Sequence, residues 1–267
     1  MSLQDLVLGG VRWELFPGSV LPIQEKNGES KTKIKVNDKK VEPDDKPPLS
    51  VVPPIPVAPR NELACAANAA AQAAGDVDTL CAAVKEFNHP LSGFANAVMP
   101  QIRKRGEGKG NLIIITDVPS ADDDANGSIM TGAAGELLDK MLGSIGLPRT
   151  SVSIVPLVFW RTPGNRTPSR EELDLARPFV MQAINIACKG NMEEEKGNDI
   201  ILTLGALAAL EIGGAKLPAD HGKEIILPAS TFLLPCIPIW HPNYLILKPD
   251  AKRDVWDALQ KVREFMA

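Results

Sequence analysis

Asn111-Leu112-Ile113-Ile114-Ile115-Thr116, followed by Asp117-Val118-Pro119-Ser120-Ala121-Asp122-Asp123-Asp124, is the stretch that decides the fold. Its apolar core does not alternate with polar residues. A short, β-branched run of this kind suits a strand buried on both faces, as in a parallel sheet covered by helices on each side. Reading outward, the same grammar repeats. Ala133–Ile145 has helical spacing, with Leu137, Leu138, Met141 and Leu142 apolar. Ser151–Phe159 is a second strand, and Pro156, which has no N–H for a ladder, marks where it ends. Ser169–Ala187 is a long helix whose Ser169 and Glu172 have capping-box spacing. Asp199–Leu204 is a third strand, with the helix ALAALEI following Gly205. Glu224–Leu227 and Phe232–Ile239 are further strand candidates, and Lys248–Phe265 is a closing amphipathic helix. Strand and helix alternate, which predicts an α/β fold with a central, mostly parallel sheet between helical layers.

Upstream the chain changes character. Residues 24–48 are mostly Lys, Glu, Asp, Asn, Ser and Pro, and seven prolines fall between Pro43 and Pro59. Such a stretch buries too little apolar surface to offset its ordering entropy. Residues 1–60 therefore read as an N-terminal extension with a Pro-rich linker, a candidate surface for a protein partner. Residues 61–267 read as the α/β domain. Its lead-in, residues 61–105, is Ala-rich and helical, broken near Gly75 and Asp76, with Asp76 and Asp78 as candidate caps.

Composition narrows the function classes. The 267 residues carry a net charge of −4, which argues against coating nucleic acid by bulk charge but leaves room for a local basic patch. No run approaches the roughly 18 apolar residues of a membrane span. The start, MSLQDLVLGGVRWELF, lacks the basic region of a secretory signal. Cys65, Cys81, Cys188 and Cys236 are far apart, without zinc spacing, so a reducing cytoplasm is the expected compartment.

In α/β folds ligands bind beyond the carboxyl ends of the strands. Asp117 stands at such an end, where a carboxylate can serve as general base or orient water. Its structural alternative is a turn residue capping backbone amides. Asp122–Asp124 read as an exposed acidic turn rather than a cation site. The loop Trp160-Arg161-Thr162-Pro163-Gly164-Asn165-Arg166 is rigid and cationic, suited to phosphate or to plain solvation. His241, after the last strand and before Pro242, can donate a hydrogen bond to developing negative charge. Gly106–Gly110 precedes its strand, so it is not a phosphate loop, and Ser120 is in no nucleophile elbow.

Taken together, the loops resemble the uracil-DNA glycosylase superfamily, nearest its iron–sulfur (family 4) type. Three ordered blocks carry the resemblance. The first is Thr116–Asp124 with Gly127-Ser128-Ile129-Met130-Thr131-Gly132-Ala133-Ala134-Gly135-Glu136-Leu137-Leu138-Asp139. The second is Arg161–Arg166 with Leu175-Ala176-Arg177-Pro178-Phe179, and the third is His241-Pro242-Asn243-Tyr244-Leu245. The resemblance implies a three-layer α/β/α sandwich around a four-stranded sheet, and hydrolysis of the N-glycosidic bond of a deaminated base in DNA. It implies catalytic roles for Asp117 and His241 and a base pocket at Val118, Met130 and Pro156. Pro119, Ser120, Arg161, Arg166, Pro242, Asn243 and Lys248 would meet the DNA backbone. The departures are specific. Asp117 replaces the family's Glu, Met130 its stacking Phe, and Pro156 the Asn that reads the base. Trp160 and Ala176 stand where two cluster cysteines would be, and the upstream pair falls near Phe87-Asn88-His89-Pro90. With no Cys₄ set in place, no cofactor is expected. The alternative is a glycosylase-fold protein that binds nucleic acid or a protein with little or no catalysis.

Overall fold

A computed structural model describes residues 60–103, 110–188, 199–226 and 234–266. The expected extension over residues 1–60 lies outside them, apart from Arg60. Helices α1 (Arg60–Ala73) and α2 (Val77–Glu86) form the Ala-rich lead-in. Asp76 caps α2, accepting the Thr79 N–H at 2.9 Å. There follow β1 (Leu112–Thr116), α3 (Ala121–Asn126), α4 (Gly132–Ser144) and β2 (Val152–Pro156). Then come α5 (Arg170–Cys188), β3 (Ile200–Leu204), α6 (Ala206–Gly213), β4 (Ile225–Ile226), β5 (Pro235–Ile239), α7 (Pro242–Leu247) and α8 (Lys252–Met266). β2 ends at Pro156, as its missing N–H requires. The Ser169–Glu172 box closes reciprocally: Ser169 N–H donates to Glu172 Oε2 at 2.7 Å and Glu172 N–H to Ser169 Oγ at 3.2 Å.

Among the described residues the sheet has five strands, not four, in the order β2-β1-β3-β5-β4. The extra member is β4, two residues long, which pairs antiparallel to β5 at the edge. The other pairings are parallel, with Ile113 beside Ser153 and Ile201. Side chains alternate across the sheet. Ile113, Ile115 and Ile201 pack under α1, α2, α5 and α6, while Leu112, Ile114, Ile200 and Leu202 pack under α4, α7 and α8. Each layer alone leaves one apolar sheet face bare, which is why helices occupy both sides.

The chain passes from β1 outward to β2 and then returns to β3 on the other flank of β1. Right-handed crossovers in opposite directions put α4 and α5 on opposite faces. The reversal makes a crevice between the carboxyl ends of β1 and β3, the usual ligand position in such sheets. No helix among the described residues is long and apolar enough to cross a membrane.

Candidate active site

Asp117 and Gly205 meet at that crevice. Asp117 continues the alternation of Ile113 and Ile115 and turns its carboxyl to the start of α6. Its Oδ1 accepts the Ala208 N–H at 2.7 Å. Gly205, the N-cap of α6, has φ 104°, and a Cβ there would stand 2.1 Å from Asp117 Oδ2. Asp117 thus supplies from β1 the cap that a glycine cannot supply itself. Among the described residues Oδ2 accepts no hydrogen bond. Burial pushes the Asp117 pKa up to about 7, against the pull of the Ala208 N–H.

His241 comes from the far side of β3. It is the N-cap of α7, and its Nδ1 accepts the Asn243 N–H at 3.1 Å. With Nδ1 occupied as acceptor, the neutral ring carries its proton on Nε2. Nε2 lies 3.1 Å from Thr116 Oγ1, so it donates there. The Thr116 hydroxyl in turn donates to Met130 Sδ at 3.5 Å. Burial lowers the His241 pKa to about 4, partly offset by Asp123, so the ring is a neutral donor at ordinary pH. Asp117 and His241 therefore flank the strand ends from opposite faces of the sheet, with opposite pKa displacements.

Met130 is buried and adopts φ 55°, a left-handed conformation unusual outside glycine. Gly135 makes that turn possible, because a Cβ on it would lie 1.9 Å from the Met130 carbonyl oxygen. The preceding Ile129 carbonyl is held by Arg149 Nη2 at 2.5 Å. An open cavity of about 580 Å³ lies beside this turn, lined by Met99, Gln101, Met130, Thr131, Glu136 and Arg149. It includes neither Asp117 nor His241.

The first loop is built around Asp123. The exposed acidic turn expected at Asp122–Asp124 is corrected here: Asp123 is buried. Its Oδ1 accepts from Thr131 N–H at 2.6 Å and Thr131 Oγ1 at 2.8 Å, and its Oδ2 from Ser120 N–H at 2.9 Å. Asp124 is also engaged, accepting the Asn96 N–H at 3.0 Å. Ser120 caps α3 through Oγ, so both its polar groups are committed to the loop itself. Val118 is half-buried and Pro119 buried beside it. At the β2 exit, Pro156 is buried opposite Thr116. The next backbone donor, Leu157 N–H, is already spent on the carbonyls of Thr116 (2.8 Å) and Asp117 (3.2 Å).

The two arginines of the second loop differ. Arg166 forks onto the buried Glu172, with Nη1–Oε2 2.8 Å and Nη2–Oε1 2.5 Å. That pairing holds the Glu172 carboxyl below its usual range. Arg161 donates through Nε to Asn165 Oδ1 at 3.0 Å, and no carboxylate pairs with it among the described residues. Pro242 is buried as the first residue of α7, Asn243 is half-buried, and Lys248 is exposed just past the helix.

Of the positions that the resemblance matches to cluster ligands, Trp160 and the 87–90 turn meet in space and carry rings. His89 stacks on Trp160 with centroids 4.4 Å apart and planes 7° from parallel. Phe87 meets Phe179 at 5.1 Å, and Ala176 is fully buried in the same core. The His89 ring is fixed by Glu172 O at 3.0 Å and by Leu91 N–H at 3.1 Å. Cys65, Cys81, Cys188 and Cys236 sit apart, on α1, α2, α5 and β5. Among the described residues no three His, Cys, Asp or Glu gather as a metal site. Imidazole stacked flat on indole, with both ring nitrogens engaged, does not fit an iron–sulfur cluster.

The sequence alone marks no catalytic role for Thr116, Asp123 or Ala208. Thr116 had one usable signal: it is the polar last residue of an otherwise apolar strand, directly before the loop.

Comparisons with known proteins bear on the family of the fold. The family described as the uracil DNA glycosylase superfamily matches residues 104–261, and the chain belongs to it. It is similar to a type-4 uracil-DNA glycosylase of Pyrobaculum aerophilum, 41% identical over 97 residues. That match takes in 36% of this chain and 48% of the relative, so the chain spans about half of that protein's length. A type-4 uracil-DNA glycosylase of Thermotoga maritima is 29% identical over 176 residues, 60% of this chain and 81% of the relative. A DNA polymerase of Bacillus phage SP01 is 26% identical over 175 residues, 65% of this chain and 16% of the relative.

Proposed function

We propose that the protein binds DNA and hydrolyses the N-glycosidic bond of a deaminated base, using Asp117 and His241 without an iron–sulfur cluster. The observation that carries this reading is the neutral His241 ring, fixed by Asn243 and presenting Nε2–H at the carboxyl end of β1. Two titratable groups at the carboxyl ends of the sheet, displaced in opposite directions, are a common mark of assigned acid–base roles. Water attacks the sugar C1′, the C1′–N bond breaks, and the base departs with the bonding electrons. Asp117, ionised above about pH 7, orients that water and takes its proton through Oδ2. His241 turns Nε2–H from Thr116 to the oxygen of the departing base, which stabilises its negative charge. Arg161 and Lys248 neutralise backbone phosphates.

Base selection is weak on this reading. Pro156 offers no hydrogen-bonding side chain, and the adjacent Leu157 N–H is already spent. Met130 packs on the base without an aromatic face. A site that reads its ligand through hydrogen bonds loses much of its selectivity when one is missing. The same observation favours a second reading, DNA binding without excision.

The test is incubation of the purified chain with DNA containing uracil, hypoxanthine or xanthine, scoring abasic sites. Excision of at least one base is expected, abolished by His241→Ala. Absence of cleavage across all three leaves only the binding reading. An absorption band near 400 nm, roughly where iron–sulfur clusters absorb, would overturn the cluster-free assignment.

A further inference from the structure

Beside His241 three rings form a column that the mechanism does not use. His221 stacks on Trp240 with centroids 5.6 Å apart and planes at 30°. Trp240 stacks on Tyr244 at 4.4 Å and 25°. His221 and Tyr244 make no ring contact with each other among the described residues, as expected with Trp240 between them. The two ends differ. His221 is half-buried, with its Nε2 enclosed and Asp254 the nearby carboxylate. Tyr244 is 38% exposed, and Ile246 and Leu247 on the same short helix are exposed beside it. The column is therefore closed at the histidine and open at the tyrosine.

Its surroundings identify the next member of the stack. Trp240 and Tyr244 bracket His241 in the chain, so the open ring belongs to the short helix that the candidate donor caps. Lys248 follows four residues after Tyr244, its N–H on the Tyr244 carbonyl at 2.8 Å. It is exposed, and no carboxylate pairs with it among the described residues. A flat aromatic face followed four residues on by an exposed cation, unpaired among the described residues, matches a nucleotide: a base on the ring and its phosphate on the ammonium. Paired bases in a duplex have their faces covered by neighbours, whereas a single strand offers them.

We infer that Trp240 and Tyr244, with Lys248, form a stacking platform for an unpaired nucleobase flanking the base held at His241, so that the protein engages single-stranded DNA. The inference rests on the DNA-binding part of the proposed function but not on excision. Tyr244 supplies the contact face, Trp240 backs it, and His221 fixes the indole from behind.

The experiment uses the full chain and a fluorescein-labelled oligo-deoxyadenylate without any deaminated base, at low salt, read by anisotropy. Tyr244→Ala should weaken single-strand binding about tenfold, within the range measured for one base stacked on one aromatic ring. Tyr244→Phe should bind like the parent, because only the ring face is needed. Affinity for a blunt duplex should be the same in Tyr244→Ala and the parent. Lys248→Ala should lower the salt dependence of binding, which Tyr244→Ala should leave alone. Equal single-strand affinity of Tyr244→Ala and the parent overturns the platform, as does failure of the parent to bind single strands. Lack of excision with the Tyr244 effect intact overturns catalysis alone.

Discussion

Asp117→Asn separates the structural work of Asp117 from its proposed chemistry. Asparagine keeps an oxygen for the Ala208 N–H, so the cap on α6 survives. It removes the charge that burial disfavours. The folded-state pKa is raised, from the usual 3.8 to about 7. Between those values the folded chain holds a proton that the unfolded chain has released. The stability tied to that proton is fully present below about pH 4 and is lost as pH rises through 7. At about 1.4 kcal/mol per pH unit the full span amounts to about 4 kcal/mol, an upper figure. The same relation gives about 2 kcal/mol at pH 5 and about 4 kcal/mol at pH 8. Asparagine never ionises, so its advantage over aspartate should grow between these two pH values. A domain of this size shifts its melting temperature by roughly 2–4 °C per kcal/mol. Thermal melts followed by circular dichroism should show Asp117→Asn more stable than the parent, with a larger margin at pH 8 than at pH 5. Excision should be lost in the same variant. The reasoning about burial is refuted if the margin is independent of pH or shrinks as pH rises. The reasoning about chemistry is refuted if a stabilised Asp117→Asn still excises.

Three further outcomes follow from the same geometry. Arg161→Ala should weaken DNA binding and reduce its salt dependence, read by anisotropy at several salt concentrations. Arg166→Ala should instead lower the melting temperature, because it leaves the Glu172 carboxylate, 8% exposed, without its fork; a loss of about 1–3 kcal/mol is expected. Gly205→Ala should destabilise by about 2 kcal/mol or more in chemical denaturation, since φ 104° suits glycine and the new Cβ meets the Asp117 carboxyl.

The fold was legible because its signals are local. An apolar run of four residues, Leu112 to Ile115, reports burial on both faces whatever covers it. Pro156 ends a strand through its own chemistry, and the Ser169–Glu172 box closes within four residues. The fifth strand shows the limit of such signals. Glu224–Leu227 has strand character, but whether two isoleucines join a sheet depends on the edge that β5 offers them. The site was legible only in part, for the same reason. The positions of Asp117 and His241 follow from their place after strands. Their states do not, because those depend on Ala208, Thr116 and the surrounding burial, all distant in sequence. Arg166 looked like a phosphate ligand by composition. Glu172, six residues on, claims it once α5 forms. Asp123 looked like one of three exposed acids, and its burial follows from the donors of Thr131 and Ser120.

Both proposed catalytic residues also hold a helix in place. Asp117 caps α6 and His241 caps α7, so each side chain is fixed before any substrate arrives, and neither can be deleted without loosening a helix end. An alanine that abolishes excision therefore cannot by itself separate chemistry from support. The isosteres can. His241→Asn provides a side-chain oxygen for the Asn243 N–H, and asparagine ranks among the best N-caps. It is too short to return a donor to the Thr116 position that Nε2 occupies. It also removes a ring whose folded pKa is lowered to about 4 from the usual 6.5. The parent binds fewer protons folded than unfolded across that window, so it loses stability as pH falls through it. A chain carrying His241→Asn should keep its melting temperature at pH 8, melt higher than the parent near pH 4, and fail to excise. Retained excision would show that the neutral donor at His241 is dispensable and that the cap is the residue's whole role.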